Sequence, residues 1–136
     1  MPSDLTIVPF ERKHLPGLME LFAQERWSYA EDEQRTWRAL TAPGSLTLIA
    51  VSDEAVVGVA QAIGDGEIQA FLAVLLVAEA YRHTGVAKRL VAEALARTHF
   101  LRLDVISCAD GFYERLGFKR VSGFRVTPGP VRQESR

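Results

Sequence analysis

Apolar residues at the start of the chain have the spacings of a short strand and then a helix. Leu5 to Val8 predicts a strand that ends at Pro9. The helix that follows contains Pro16 in its first turn, a position that proline tolerates. Its predicted apolar face consists of Leu15, Leu18, Leu21 and Phe22.

A second helix is predicted after a break at Trp27 to Ala30. Ser28 and Glu31 have the spacing of a capping box, in which two side chains bind backbone N–H groups of the first turn. The helix then runs through Trp37 to Leu40, and Ala42-Pro43-Gly44 ends it.

Three strands joined by tight turns are predicted next. Leu46 to Val51 and Val56 to Ile63 are rich in β-forming residues, and the polar pair Asp53-Glu54 separates them. Gly64-Asp65-Gly66 is a strong hairpin signal before the third strand, Glu67 to Val77.

The second half of this third strand belongs to a run, Ala70 to Ala78, that is apolar at every position. Such a run is typical of a strand in the middle of a sheet that is covered on both faces. A buried helix is the alternative, although the length of the run and its entry from a hairpin favour the strand.

From Gly85 onward the spacing of the apolar residues predicts a helix. Its apolar face consists of Val86, Leu90, Val91, Ala94, Leu95 and Thr98. Alternation over Leu101 to Val105 predicts a further strand, and a short helix over Gly111 to Leu116 should end at Gly117. Phe118 to Val126 is the last predicted strand. The order β-α-α-β-β-β-α-β-α-β indicates an α/β fold with a mixed sheet, antiparallel at first, and helices on both faces.

The amino-acid composition argues against two classes of protein, disordered chains and nucleic-acid-binding proteins. The chain has 136 residues, 48% of them apolar, and its 16 Lys and Arg residues nearly cancel 17 Asp and Glu residues. This balance argues against a disordered chain and against the broad basic surface that nucleic-acid binding needs. We expect a single domain over residues 1–127 and a flexible tail over residues 128–136.

The sequence has few features of a disulfide-bonded, metal-binding, membrane or secreted protein. Cys108 is the single cysteine, so no disulfide forms within the chain, and no His/Cys cluster indicates a metal site. The longest apolar run is far shorter than the roughly 20 residues of a membrane-spanning helix. The first ten residues lack the basic start of a secretory signal, so we expect a cytoplasmic protein that does not bind membranes.

The segment Val77 to Leu90 joins a buried strand to a helix through a few polar residues and Gly85. Such a junction directs unpaired backbone N–H groups and the positive end of a helix dipole at one point, which suits a pyrophosphate. Glycine lets the backbone approach a ligand closely, and Ala87 keeps the next position small. The pattern is short, and an ordinary strand-to-helix turn would also show it.

Two motifs together resemble the GNAT superfamily of acyl-CoA-dependent N-acetyltransferases. The first is Arg82-x-x-Gly85-x-Ala87 between a strand and a helix, and the second is the downstream segment Phe112-Tyr-Glu-Arg-Leu-Gly-Phe118. With the element order, the resemblance extends from about residue 6 to residue 126. It implies transfer of an acetyl group from acetyl-CoA to a primary amine, in the first instance of a small molecule, by direct attack on the thioester.

The resemblance also implies how the coenzyme is bound. Its pyrophosphate would be held by the loop that Arg82 opens, through the backbone amides of His83, Thr84, Gly85, Val86 and Ala87. Pantetheine would pair, like an added strand, with backbone groups near Leu75 and Val77. The N–H of Leu75, with a register uncertainty of one residue, would polarise the thioester carbonyl and stabilise the oxyanion.

The resemblance suggests a proton donor for the departing thiolate but no base for the attacking amine. Tyr113 matches the tyrosine that often protonates the departing thiolate in this family, although packing alone would also explain it. An alkylamine of pKa about 10.4 is neutral in only about one molecule per 10³ at pH 7, so a base is needed. The glutamate that some relatives use matches Phe71 here, and no base is assigned. The asparagine common in relatives is missing from Ile106 to Gly111, and His83-Thr84 replaces a glycine and a basic residue.

The acceptor cannot be identified from the sequence. Trp27 and Tyr29 could line a pocket for an apolar or aromatic amine or anchor the helix break, and Glu31 could attract a cation or cap a helix. Two alternatives remain open, a protein or peptide amine as acceptor and an acyl-CoA sensor without turnover. The apolar residues Val126 and Val131 could cover the sheet of a second copy in a homodimer.

Overall fold

The computed structural model describes residues 4–107 and 109–129. The chain divides into two compact units, Met1–Val105 and Ile106–Arg136. The strands of the first unit are β1 (Thr6–Pro9), β2 (Ser45–Ser52), β3 (Ala55–Gly64), β4 (Gln69–Val77) and β5 (Arg102–Asp104). Its helices are α1 (Leu15–Gln24), α2 (Glu33–Leu40) and α3 (Val86–Ala96), and the second unit contains α4 (Asp110–Arg115). None of the helices in the described residues is long and apolar enough to cross a bilayer.

The strands of the first unit form one mixed sheet in the order β1-β2-β3-β4-β5. Strands β1 to β4 pair antiparallel with their neighbours. β5 pairs parallel with the start of β4, from Gln69 opposite Arg102 to Phe71 opposite Asp104. The connection between these two strands passes through α3, as a parallel pair requires. The predicted α/β fold, with an antiparallel part followed by a parallel crossover, is therefore confirmed.

Helices cover both faces of this sheet. On one face α3 buries Leu90 against Leu48 and Ala60. On the other face α1 and α2 bury Phe22 and Leu40 in a separate cluster. Full burial of a large apolar side chain contributes about 1.5–3 kcal/mol, so these clusters fix α1 and α3 on opposite sides of the central strands.

The predicted helix ends are confirmed at two places where proline or glycine sets the boundary. Pro16 lies in the first turn of α1, where its missing N–H costs no helical hydrogen bond. Gly117 follows α4 with a φ of 91°, the left-handed conformation that glycine adopts without strain.

The capping box predicted for α2 is wrong. Ser28–Glu31 forms a single 3₁₀ turn, and the N-cap is Asp32, whose side chain accepts a hydrogen bond from the Arg35 N–H at 3.0 Å. Aspartate caps a helix as well as serine does, so α2 starts one turn later than the spacing predicted.

The apolar run in β4 is a strand, which excludes the helical alternative. Its even-numbered residues Leu72, Val74 and Leu76 are buried. Phe71, which pairs with Ile63 near the start of β4, keeps 38% of its surface exposed, so the strand is less evenly buried than predicted. In α3, Leu95 is likewise 42% exposed, because it lies at the margin of the buried face.

The strand predicted for Phe118 to Val126 is not formed within the described residues. Phe124 and Val126 are 97% and 84% exposed. The two-residue period of a strand holds only over Phe124 to Val126, because Phe118, Val121 and Phe124 are three residues apart. Cys108 and the tail from residue 130, including Val131, lie outside the described residues.

Candidate functional site

One edge of β4 is paired with β5 only over Gln69–Phe71. The direction of the remaining backbone groups follows from the Ala78 N–H, which donates to the Val57 carbonyl at 2.8 Å. Hydrogen-bonded and non-bonded residues alternate along an antiparallel pair. The N–H groups of Leu75 and Val77 therefore point away from β3, along the open edge of β4.

A β-bulge determines which residues of β4 face this open edge. Gln61 of β3 is opposite Val74, whereas Ala62 is opposite Leu72, so Ala73 is an extra residue on β4. After a bulge, the residues whose backbone groups point away from the partner strand are shifted by one position along the bulged strand. Without the extra residue, Leu75 would direct its N–H toward β3.

The loop between β4 and α3 leaves a group of backbone donors unpaired. After a single 3₁₀ turn, residues 82–85 form what we call the junction loop, and α3 starts at Val86. The first hydrogen bond of the helix runs from the Arg89 N–H to the Gly85 carbonyl at 3.0 Å. Among the residues that the structure describes, the N–H groups of residues 83–88 have no protein acceptor. They lie at the positive end of the α3 dipole, which favours an anion.

Space for a ligand lies directly beside these donors. Gly85 has a φ of 92°, and a Cβ built on it would meet no atom within 4 Å. His83 also has a left-handed φ, 63°, and the Thr84 hydroxyl donates to the Tyr81 carbonyl. The junction loop is thus folded back on itself while its amides stay exposed. The residues present fit the pyrophosphate of coenzyme A.

The Arg82 side chain points along the open edge of β4. Its Nε donates to the Val77 carbonyl at 3.0 Å, and its NH2 nitrogen lies 2.5 Å from Oε1 of Glu25. The guanidinium of Arg82, which opens the loop of the motif, therefore already has protein partners. No local sequence pattern connects Glu25, at the end of α1, with the junction loop, so this contact could not be predicted from the sequence.

The candidate acceptor residues lie beside α1. Trp27 and Tyr29 are half-buried, with ring centroids 5.6 Å and 4.8 Å from that of the buried Phe22. Burial raises the pKa of the Tyr29 phenol. This packing favours the anchoring interpretation of both aromatic residues. Glu31 is exposed at the end of a 3₁₀ turn, so its carboxylate remains accessible.

Tyr113 belongs to the second unit, on α4. Its half-buried ring lies between Phe112, with centroids 5.0 Å apart, and Phe118, with centroids 5.4 Å apart. Burial raises the pKa of the Tyr113 phenol. The hydroxyl is thus protonated at neutral pH and able to donate a proton.

Comparison with known proteins gives a consistent result. Residues 14–129 match the family model described as acetyltransferase (GNAT) domain. A GNAT-family acetyltransferase from Streptococcus pneumoniae is similar in structure, with a TM-score of 0.75 at 24% identity, over 91% of this chain and 98% of the other. An aminoglycoside antibiotic 6′-N-acetyltransferase from Acinetobacter haemolyticus is also similar in structure, with a TM-score of 0.75 at 21% identity. The similarity covers 93% of this chain and 99% of the other. The comparison with curated proteins found no match.

A further similar structure contains a ligand. It is AAC(6′)-Iy in complex with a bisubstrate analogue of coenzyme A and acetylneamine, with a TM-score of 0.73 at 20% identity. The similarity covers 95% of this chain and 100% of that chain. Identities this low show a shared fold.

Proposed function

Because the chain belongs to the GNAT acetyltransferase family, whose members use acetyl-CoA, we propose that it acetylates a primary amine of a small molecule. The observation that carries this proposal is the row of unpartnered N–H groups over residues 83–88 beside the open space at Gly85. Several backbone donors directed at one point can neutralise a diphosphate without a metal ion.

The open edge of β4 supports the next part of the proposal. Pantetheine would pair with the carbonyl of Leu75 and with the N–H of Val77, because the Val77 carbonyl is bonded to Arg82. The Leu75 N–H would then stabilise the oxyanion of the tetrahedral intermediate. Removal of one such donor costs about 10²–10³-fold in rate in enzymes where it has been measured.

The reaction forms a bond between the amine nitrogen and the acetyl carbon and breaks the bond from that carbon to sulfur. The nitrogen loses a proton, and the departing thiolate gains one. Tyr113 is the proposed proton donor for the thiolate, since it matches the tyrosine of the family motif and its hydroxyl is protonated at neutral pH. Phe71 cannot accept the proton of the amine, so we assign that step to no side chain of β4.

The small-molecule acceptor is supported by the activity of one similar protein and by the ligand of another. One is an aminoglycoside antibiotic 6′-N-acetyltransferase, and the other, AAC(6′)-Iy, holds a bisubstrate analogue of coenzyme A and acetylneamine. In this chain, exposed Glu31 lies next to half-buried Trp27 and Tyr29 in sequence and is the proposed contact for a cationic amine.

A binding and turnover experiment tests the proposal. Acetyl-CoA binding is measured by calorimetry, and thiol release is followed with neamine, a polyamine, an aromatic amine and a peptide with a free N-terminus. We expect saturable thiol release with at least one of the small amines. Release with the peptide alone would replace the small-molecule acceptor by a protein one. Tight binding without release for any amine would support an acyl-CoA sensor instead.

A further inference from the structure

We infer that Glu25 positions the junction loop by holding the Arg82 side chain against the end of β4, a role that rests on the proposed function. The Arg82 guanidinium contacts both the end of β4 and the end of α1. Its Nε donates to Val77, the last residue of β4, at 3.0 Å, and an NH2 nitrogen contacts the Glu25 carboxylate at 2.5 Å. The Glu25 side chain is the less exposed of the two, at 24% against 39% for Arg82.

Glu25 is attached to a rigid part of the molecule. It is the C-cap of α1, and its N–H donates to the Leu21 carbonyl at 3.2 Å. The last turn of α1 is fixed by Leu21 and Phe22, which are 3% and 0% exposed. Arg82, by contrast, lies outside any helix or strand at the start of the junction loop. The ion pair therefore connects a fixed helix end to a loop whose amides must stay in place.

The position of Glu25 on its helix is unfavourable for the helix itself. The C-terminus of a helix carries a partial negative charge, so a carboxylate there is destabilising unless a cation compensates it. Arg82 supplies that cation. The pairing thus accounts for an acidic residue at this helix end better than helix stability does.

Direct binding of phosphate by Arg82 makes the opposite prediction. If Glu25 merely competes for the guanidinium, then Glu25→Gln frees it and coenzyme A binds more tightly. If Glu25 holds Arg82 as a positioning residue, the same substitution loosens the junction loop and coenzyme A binds more weakly. The sign of the change in Kd separates the two roles.

The experiment measures the Kd of coenzyme A by calorimetry for the parent, Glu25→Gln, Arg82→Gln and the double variant. We expect Glu25→Gln to raise Kd about tenfold, within the range for residues that share one ion-pair network. The double variant should bind no more weakly than Arg82→Gln, because each residue acts through the other.

The matched control is Glu93→Gln, which breaks a comparably exposed ion pair on α3, between Glu93 and Arg97 at 3.1 Å. It should leave Kd unchanged, and its Tm should shift as little as that of Glu25→Gln, since exposed pairs contribute little to stability. An unchanged or lower Kd in Glu25→Gln, with normal binding by the parent, overturns this inference alone. Failure of the parent to bind coenzyme A overturns the inference and the proposed function together.

Discussion

Gly58 on β3 leaves the space that the Leu90 side chain of α3 occupies. A Cβ on Gly58 would lie 3.1 Å from Leu90 Cδ1, 3.3 Å from the Leu76 carbonyl oxygen and 3.4 Å from the Ala50 Cβ. The helix that carries the candidate anion site at its N-terminus is thus seated on the sheet through a glycine.

The first prediction concerns this contact. Gly58→Val should destabilise the fold by about 1–3 kcal/mol, because the added methyl groups overpack a filled core. Chemical denaturation measures the loss. In a Leu90→Ala background the same substitution should cost less, because the cavity accepts the new side chain. Gly123→Val is the control, since a Cβ at Gly123 meets nothing within 4 Å. Equal losses at both glycines would contradict this account.

The second prediction concerns the junction loop. Acetyl-CoA at about 100 times Kd should stabilise the parent by about 2.7 kcal/mol, seen as a rise in Tm of several degrees. Gly85→Asp should abolish the rise, because it places a negative charge and a side chain where the phosphates would lie. Gly66→Asp is a matched control, with a φ of 81° and open space around its Cβ. It carries the same backbone strain, and its Tm should still respond to acetyl-CoA.

The third prediction concerns the proposed general acid. Tyr113→Phe removes the hydroxyl and keeps the ring between Phe112 and Phe118, so Tm should stay close to that of the parent. The value of kcat should fall by about 10²–10⁴-fold, the usual contribution of a general acid. Tyr29→Phe, at the other tyrosine whose pKa burial raises, should retain kcat. A Tyr113→Phe variant with full kcat would exclude the acid role.

The fourth prediction is a pH dependence of stability. Burial, followed by the charge of Lys13, lowers the pKa of His14 below its ordinary value of 6.5. The neutral ring accepts a hydrogen bond from the Glu11 N–H through Nδ1 at 2.9 Å, and protonation of that nitrogen would break it. The unfolded chain binds the proton more readily, so His14 stabilises the fold above pH 6.5 and loses this contribution as the pH falls.

Urea denaturation at pH 7.5 and pH 5.5 checks the His14 prediction. The parent should lose more stability between these pH values than His14→Asn, whose amide oxygen can still accept from the Glu11 N–H. The exposed His99→Asn variant should behave as the parent does. A difference between the two pH values that persists in His14→Asn would assign the pH dependence to other groups.

Local patterns predicted most of the fold. The helical spacing of Leu18 and Phe22 identified the buried face of α1, and Gly117 identified the end of α4. Such features depend on residues close together in sequence. The last predicted strand was wrong, and its apolar residues follow the two-residue period of a strand only over Phe124 to Val126.

Less of the candidate site than of the fold could be predicted from the sequence. The N–H of Leu75 faces the open edge of β4 only because Ala73 is an extra residue, and that depends on pairing with β3. The contact between Glu25 and Arg82 joins residues that are far apart along the chain. Each of these relationships exists only after the sheet and α1 have assembled.

The guanidinium on the Val77 carbonyl also bears on the behaviour of the protein in concentrated solution. An unpaired strand edge is a template on which another chain can add, and this is how many sheets begin to aggregate. A charged side chain that covers the last carbonyl of β4 hinders such addition at the end where the edge is open. The contact to which we assign the positioning of the junction loop therefore also protects the sheet against the addition of another chain.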